Sequence, residues 1–142
     1  MRLYSLLYIS RSTIAPSDAK EVVDQIIDTA LDFNPSVGLT GALLFTGTYF
    51  AQVLEGDVAA IDELVEHISR DPRHDQMRIV DRSPLSKRRF ADWSMAYFGP
   101  SNFVSRHVTR LLGDTSPAEQ SRSAEWLTEL MHEFSQGASA QL

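Results

Sequence analysis

Residues 33–54 carry no charged side chain, a run long enough to cross a bilayer if it were one continuous helix. It does not read as one. Gly38, Gly41 and Gly47 interrupt it, and Asn34, Gln52 and three Thr place polar groups along it that hydrocarbon would leave without water. The alternation of side chains instead predicts two strands, over 38–45 and 48–55, turning around Thr46 and Gly47. Strands with so little charge need cover from the rest of the chain.

That cover is legible on both sides of the hairpin. A strand over 3–9 has Tyr4, Leu6 and Tyr8 on one face and Leu3, Leu7 and Ile9 on the other, so both faces read as buried. Ser17 is positioned to cap a helix with Val22, Val23, Ile26, Ile27, Ala30 and Leu31 at helical spacing, stopped by Asn34 and Pro35. Asp57 caps a second helix carrying Ile61, Leu64, Val65 and Ile68, ended by Asp71 and Pro72. Further strands are expected over 77–81 and 93–98. The order is that of an α+β, ferredoxin-like βαββαββ sheet with both helices on one face. Two C-terminal helices are expected on the opposite face. One is the amphipathic stretch 103–112, and the other opens at Ser116, Pro117 and Glu119 with Trp126, Leu127, Leu130, Met131 and Phe134 as its stripe. The tail from Gln136 reads as frayed. The expected division is a sensor-sized unit over 1–100 and a helical extension over 101–142.

Composition narrows the chemistry. A chain of 142 residues, 43% hydrophobic and 23% charged, has room for one compact core, and a net charge of -6 argues against a general nucleic-acid binder. With 0 Cys, disulfides, thiolate catalysis, iron–sulfur clusters and cysteinyl flavin adducts are excluded. His67, His74, His107 and His132 lack the partners of a known metal site, so no metal is expected. No serine sits in a nucleophile elbow, and no glycine loop opens a helix to cradle a phosphate. The first residues lack the apolar region of a signal peptide, which makes the cytoplasm the expected location, without a membrane anchor.

Gln52 is the most informative residue. It lies with Phe50 and Leu54 on one strand face, and an amide among large hydrophobes needs a partner. Tyr8 has the same need in the first strand. The two could satisfy each other as a structural pair, or line a cavity for a polar, planar ligand with Asn34 and Asp71 on its rim.

Five ordered motifs between residue 3 and about 98 carry a specific resemblance. They are Tyr8 in LLYISRS, Asn34 followed by Gly38-Leu39-Thr40-Gly41-Ala42-Leu43, the stretch FAQVLEG around Gln52, Asp71-Pro72-Arg73-His74, and Arg89-Phe90 with Trp93-Ser94-Met95. Together they resemble the BLUF family, blue-light sensors using FAD. The resemblance implies a flavin ring held between the two helices. It implies Tyr8 as electron and proton donor to the excited flavin and Gln52 as the switching amide that bridges Tyr8 to flavin N5 and O4. Asn34 resembles the group holding the O4 and N3 edge. Asp71 and His74 resemble polar groups near the far edge and ribityl chain, and Ile27, Ala30 and His67 fall at ring-binding positions. Trp93 and Met95 match the pair that passes the change onward, although on residues alone they read as ordinary core. Phe33 stands where relatives often carry Asn or His, Ala30 where they carry Ser, and His67 where a relative carries Arg.

The expected function is a photoreceptor without turnover, signalling to a separate effector protein and self-associating as a homo-oligomer. After residue 98 too little chain remains for a cyclase or phosphodiesterase domain. The alternative is a flavin-free ferredoxin-like module that binds a small ligand. Colour separates them. The purified chain is expected to be yellow with noncovalent FAD, preferred over FMN, and to shift its absorption slightly to the red under blue light. Bleaching of the flavin band under light would contradict this.

Overall fold

A computed structural model describes residues 2–91, 96–98 and 117–141. The chain runs β1 (Leu3–Ser12), a 3-10 turn (Pro16–Asp18), α1 (Ala19–Ser36), β2 (Thr40–Phe45), β3 (Tyr49–Asp57), α2 (Val58–Ser69), β4 (His74–Pro84), β5 (Ala96–Phe98) and α3 (Pro117–Gln141). The sheet order is β4-β1-β3-β2-β5, antiparallel except for the parallel β2–β5 pair. This is the expected ferredoxin-like α+β sheet with a fifth strand added beside β2.

Strand period sorts the core into two layers. Leu6, Tyr8, Leu43, Phe50 and Leu54 face α1 and α2, meeting Val23 and Ile61. Leu7, Ile9, Ala42, Leu44, Ala51 and Val53 face the other way, and Ala124, Leu127 and Met131 of α3 seal them. β1 and β3 are therefore buried on both faces, as their composition predicts.

Several local features depart from the sequence reading. The 3-10 turn precedes α1, so its N-cap is Asp18 and not Ser17. The helix also passes through Pro35 to Ser36, at the loss of the one i→i−4 hydrogen bond that residue 35 would donate in the last turn. Leu31, expected in the apolar stripe, is 46% exposed. Asp57 does cap α2, accepting from the Ala59 N–H at 3.2 Å. β4 is longer than 77–81 because it pairs along most of β1, with register shifts that flank Tyr8 and a left-handed Gln76 (φ 51°). The tail expected to fray from Gln136 continues α3 to Gln141, helped by Ala138 and Ala140. Trp93, Met95 and the 103–112 stretch lie outside the described residues.

Two positions explain the tight hairpin and its fastening. A Cβ on Gly41 would fall 2.0 Å from the Val53 carbonyl oxygen, so only glycine lets β2 approach β3 there. The fully buried Glu55 reaches off β3 to accept from the backbone N–H groups of Arg89 (2.7 Å) and Phe90 (2.9 Å) and from the Thr40 hydroxyl (3.0 Å). The Arg88 guanidinium reaches back to Gly38 O (2.8 Å) and Glu55 O (3.0 Å). In sequence Arg82, Lys87, Arg88 and Arg89 form a basic patch that reads as a solvated loop, with a diphosphate contact as the alternative. Part of it is instead a clamp that seats Phe90 in the second core layer. Glu55→Ala would strand one buried and two partly buried donors, so we expect a loss of about 2 kcal/mol or more in urea unfolding, at roughly 1–3 kcal/mol for a fully buried unmet group. An unchanged midpoint would remove the clamp from the argument.

Candidate functional site

Tyr8 and Gln52 are direct cross-strand partners in the β1–β3 register. Both side chains point to the α1 and α2 side, where the Tyr8 hydroxyl donates to Gln52 Oε1 at 2.6 Å. Above them, between the two helices, opens a cavity of about 440 Å³, within the roughly 300–1,000 Å³ usual for small-molecule sites. Its walls are largely apolar, from Ile26, Leu43, Phe50, Leu64 and Ile68, with Phe45 stacked obliquely behind Phe50 at 4.8 Å. Its polar atoms lie on the floor and rim.

Each rim group is placed by local chemistry. Asn34 is buried at the end of α1, and its carbonyl accepts from the Leu39 N–H at 2.8 Å, which fixes the turn into β2. Asp71 caps the turn after α2 by accepting the Arg73 N–H at 2.9 Å, and its carboxylate is gripped by the Arg73 guanidinium, with Nε at 2.9 and 3.0 Å. His74 starts β4. Its Nε2 donates to the Ile68 carbonyl, an acceptor only, at 2.5 Å, and its Nδ1 is hydrogen-bonded with the Ser10 hydroxyl at 2.7 Å. The ring stands edge-on to Phe50, 6.4 Å away, and tilted against Tyr8 at 6.1 Å.

Of the positions singled out by sequence, Tyr8, Ala30, Asn34, Gln52, His67, Asp71 and His74 line this one cavity. Ile27 does not; it packs into the first core layer, and Ile26 takes the lining position. At helical spacing the two differ by one step of about 100°, which periodicity alone does not resolve. Arg73 is one of the lining residues, with Thr29 and Glu63, to which the sequence alone assigns no role. Its signal was the Asp-Pro-Arg order, which folds the guanidinium back onto Asp71.

Burial pushes the Tyr8 phenol well above its ordinary pKa, Asp71 adds to the shift and Arg73 opposes it. Asp71 is held below the usual carboxylate range, first by its bond from Arg73, while partial burial works the other way. Tyr8 is therefore a neutral donor aimed at an amide oxygen, beside a fixed ion pair. The walls suit the faces of a flat ring, while the amides of Asn34 and Gln52 and the ion pair suit its polar edges. A tricyclic flavin with carbonyl and ring-nitrogen edges has that chemistry, so the residues fit FAD.

Comparison with known proteins identifies the class. Residues 3–96 match the BLUF family, sensors of blue light using FAD. The chain belongs to that family, and FAD is its cofactor, which removes the flavin-free alternative. It is 31% identical over 93 residues, 66% of its length, to the photoactivated adenylate cyclase subunit beta of Euglena gracilis. The chain spans only about a tenth (11%) of that relative. The dark-state structure of the BLUF protein BlrB is 33% identical, with a TM-score of 0.71 over 86% of this chain and 94% of that one. BlsA in its photo-activated state is 20% identical, with a TM-score of 0.76 over 92% of this chain and 94% of that one, which speaks for the fold alone. No helix among the described residues is long and apolar enough to cross a membrane.

The raised Tyr8 pKa makes a signed prediction. The neutral phenol favours the folded state, so its contribution is whole below the unfolded value of 10.0 and is lost as pH climbs above it. Unfolding free energy should fall beyond that pH with an added slope of up to about 1.4 kcal/mol per unit, absent in Tyr8→Phe. Equal slopes in the two proteins would refute it.

Proposed function

We propose that this blue-light sensor switches through Tyr8 and Gln52 and passes the change to a separate effector protein, with no turnover of its own. The observation that carries the reading is the 2.6 Å bond from the Tyr8 hydroxyl to Gln52 Oε1 on the cavity floor. Bound FAD supplies the light absorption and the redox couple that takes and returns one electron. Tyr8 gives up that electron together with its hydroxyl proton and recovers both. Gln52 carries the proton and is left rotated or tautomerised, so its hydrogen bonds on the cavity floor are rearranged. Asn34 holds the ring edge, the Asp71–Arg73 pair and His67 stand at the rim, and Ala30 leaves space against a ring face. His74 has both ring nitrogens on protein atoms, so its part is to wedge Tyr8 and Phe50 in place.

The onward route follows strand register. Gln52 lies opposite Leu43 in β2, and Leu43 lies opposite Tyr97 in β5. A changed amide on β3 is thus two strand steps from β5, next to which Trp93 and Met95 stand in sequence. We assign those two to transmission on the family resemblance, with residues 1–100 as sensor and 101–142 as the extension that carries the output to the effector or to a second copy. One altered hydrogen bond is worth about 1 kcal/mol, against roughly 5.5 kcal/mol for a complete two-state switch, so the output is partial.

Tyr8→Phe and Gln52→Ala are expected to retain FAD yet lose the light-induced red shift, because binding is spread over many contacts and the switch is not. Asn34→Ala should instead weaken FAD retention by about tenfold, read by fluorescence titration. A normal red-shifted state in either of the first two variants would end the proposed relay.

A further inference from the structure

A second cavity, of about 220 Å³, lies on the opposite sheet face between β1, β4 and α3. It has room for roughly seven waters at about 30 Å³ each, or for one solute with a similar number of heavy atoms. Unlike the layer around it, its lining is largely polar, and two of its groups have donors without a partner among the described residues.

Ser5 is one of them. It shares a strand face with Leu7 and Ile9, stands in register between Ser83 and Glu55, and is only 6% exposed. Its hydroxyl lines the cavity and makes no hydrogen bond to any described residue. Arg89 is the other. Its backbone N–H is taken by Glu55, while its half-buried guanidinium lines the cavity without an ion pair or hydrogen bond among the described residues. A guanidinium offers five donors in a fork that matches a carboxylate.

The rest of the lining has the opposite character. Ser83 donates to Asp81 Oδ2 at 3.1 Å and Thr128 donates to the Ala124 carbonyl at 3.0 Å, so both hydroxyls turn lone pairs to the cavity. Asp81 and Glu125 add carboxylates. Two acidic groups disfavour a simple anion, and Arg89 disfavours a simple cation. A molecule carrying both charges answers both. We propose that this cavity binds a small zwitterion of the amino-acid class, its carboxylate on Arg89 and Ser5 and its ammonium on Asp81 and Glu125. Such a ligand would tie β1 and β4 to α3.

The test titrates the FAD-loaded full chain in the dark with L-serine, by calorimetry and by amide chemical shifts. We expect saturable binding, shifts centred on Ser5, Ser83 and Arg89, and an unchanged flavin band. Ethanolamine and glycolate, each carrying one of the two charges, should bind at least about tenfold more weakly, as should L-serine to Arg89→Ala, which loses a bidentate charged contact. Arg89→Lys keeps the charge without the fork and should fall between. Absence of saturation, shifts centred elsewhere, either half-molecule binding as well as L-serine, or unchanged affinity in both Arg89 variants would overturn the proposal.

Discussion

The middles of β1 and β3 are buried on both faces, so the polar side chains there call for partners inside the protein, and all of them but Ser5 find one among the described residues. That constraint organises the molecule. On the helix side it joins Tyr8 to Gln52. At the end of β1 it draws Ser10 to His74 and so fixes where β4 begins. On the far side it makes Glu55 gather the 88–90 segment onto β3. Polar residues in these strands thus determine where the connecting segments lie, while the apolar residues determine only which face is which.

The part of the design visible in sequence is the part governed by period. The alternation in 3–9 and 48–55, the stripe of α2 and the Asp57 cap all translate directly, because each depends on neighbours along the chain. What stayed hidden depends on partners distant in sequence. Glu55 reads as the charged residue that ends a strand, and only the return of residues 88–90 makes it a buried acceptor. Arg88 and Arg89 read as solvated for the same reason. β4 carries an irregular pattern since two register shifts alter which residues face inward, leaving Ile79 exposed and Val80 buried. The family motifs located the cavity through residue identity, which period could not do: Tyr8 and Gln52 alone were equally readable as a private pair.

That ambiguity has a physical answer. A structural tyrosine–glutamine pair needs only each other and close packing around it. Here the pair lines a 440 Å³ cavity whose other polar groups include Asn34 at the end of α1 and the Asp71–Arg73 pair just after α2. The helices are splayed around the pair and not packed onto it. Burial, which holds the Tyr8 phenol neutral, also removes competing water from its bond to Gln52. A donor kept protonated and aimed at an amide oxygen on a cavity floor is the arrangement that the proposed switch requires.

A change worth about 1 kcal/mol travels only where the structure does not absorb it. On the cavity side, the largely apolar walls would offer a rearranged amide, as proposed, few compensating partners. β2 separates β3 from β5 by a single strand, and its Gly41 brings the backbones too close for a side chain to cushion the contact. On the far side, Phe90 is packed among Leu127 and Met131 of α3 while Glu55 holds its backbone to β3. β3 and α3 are thus joined through a buried aromatic ring and two hydrogen bonds, the connection along which the proposed shift in β3 would pass. The mixed-charge cavity at Ser5 and Arg89 interrupts this otherwise apolar layer next to that connection. A solute bound there, as proposed, would bridge β1 and β4 to α3 and bear on how firmly the helix is held.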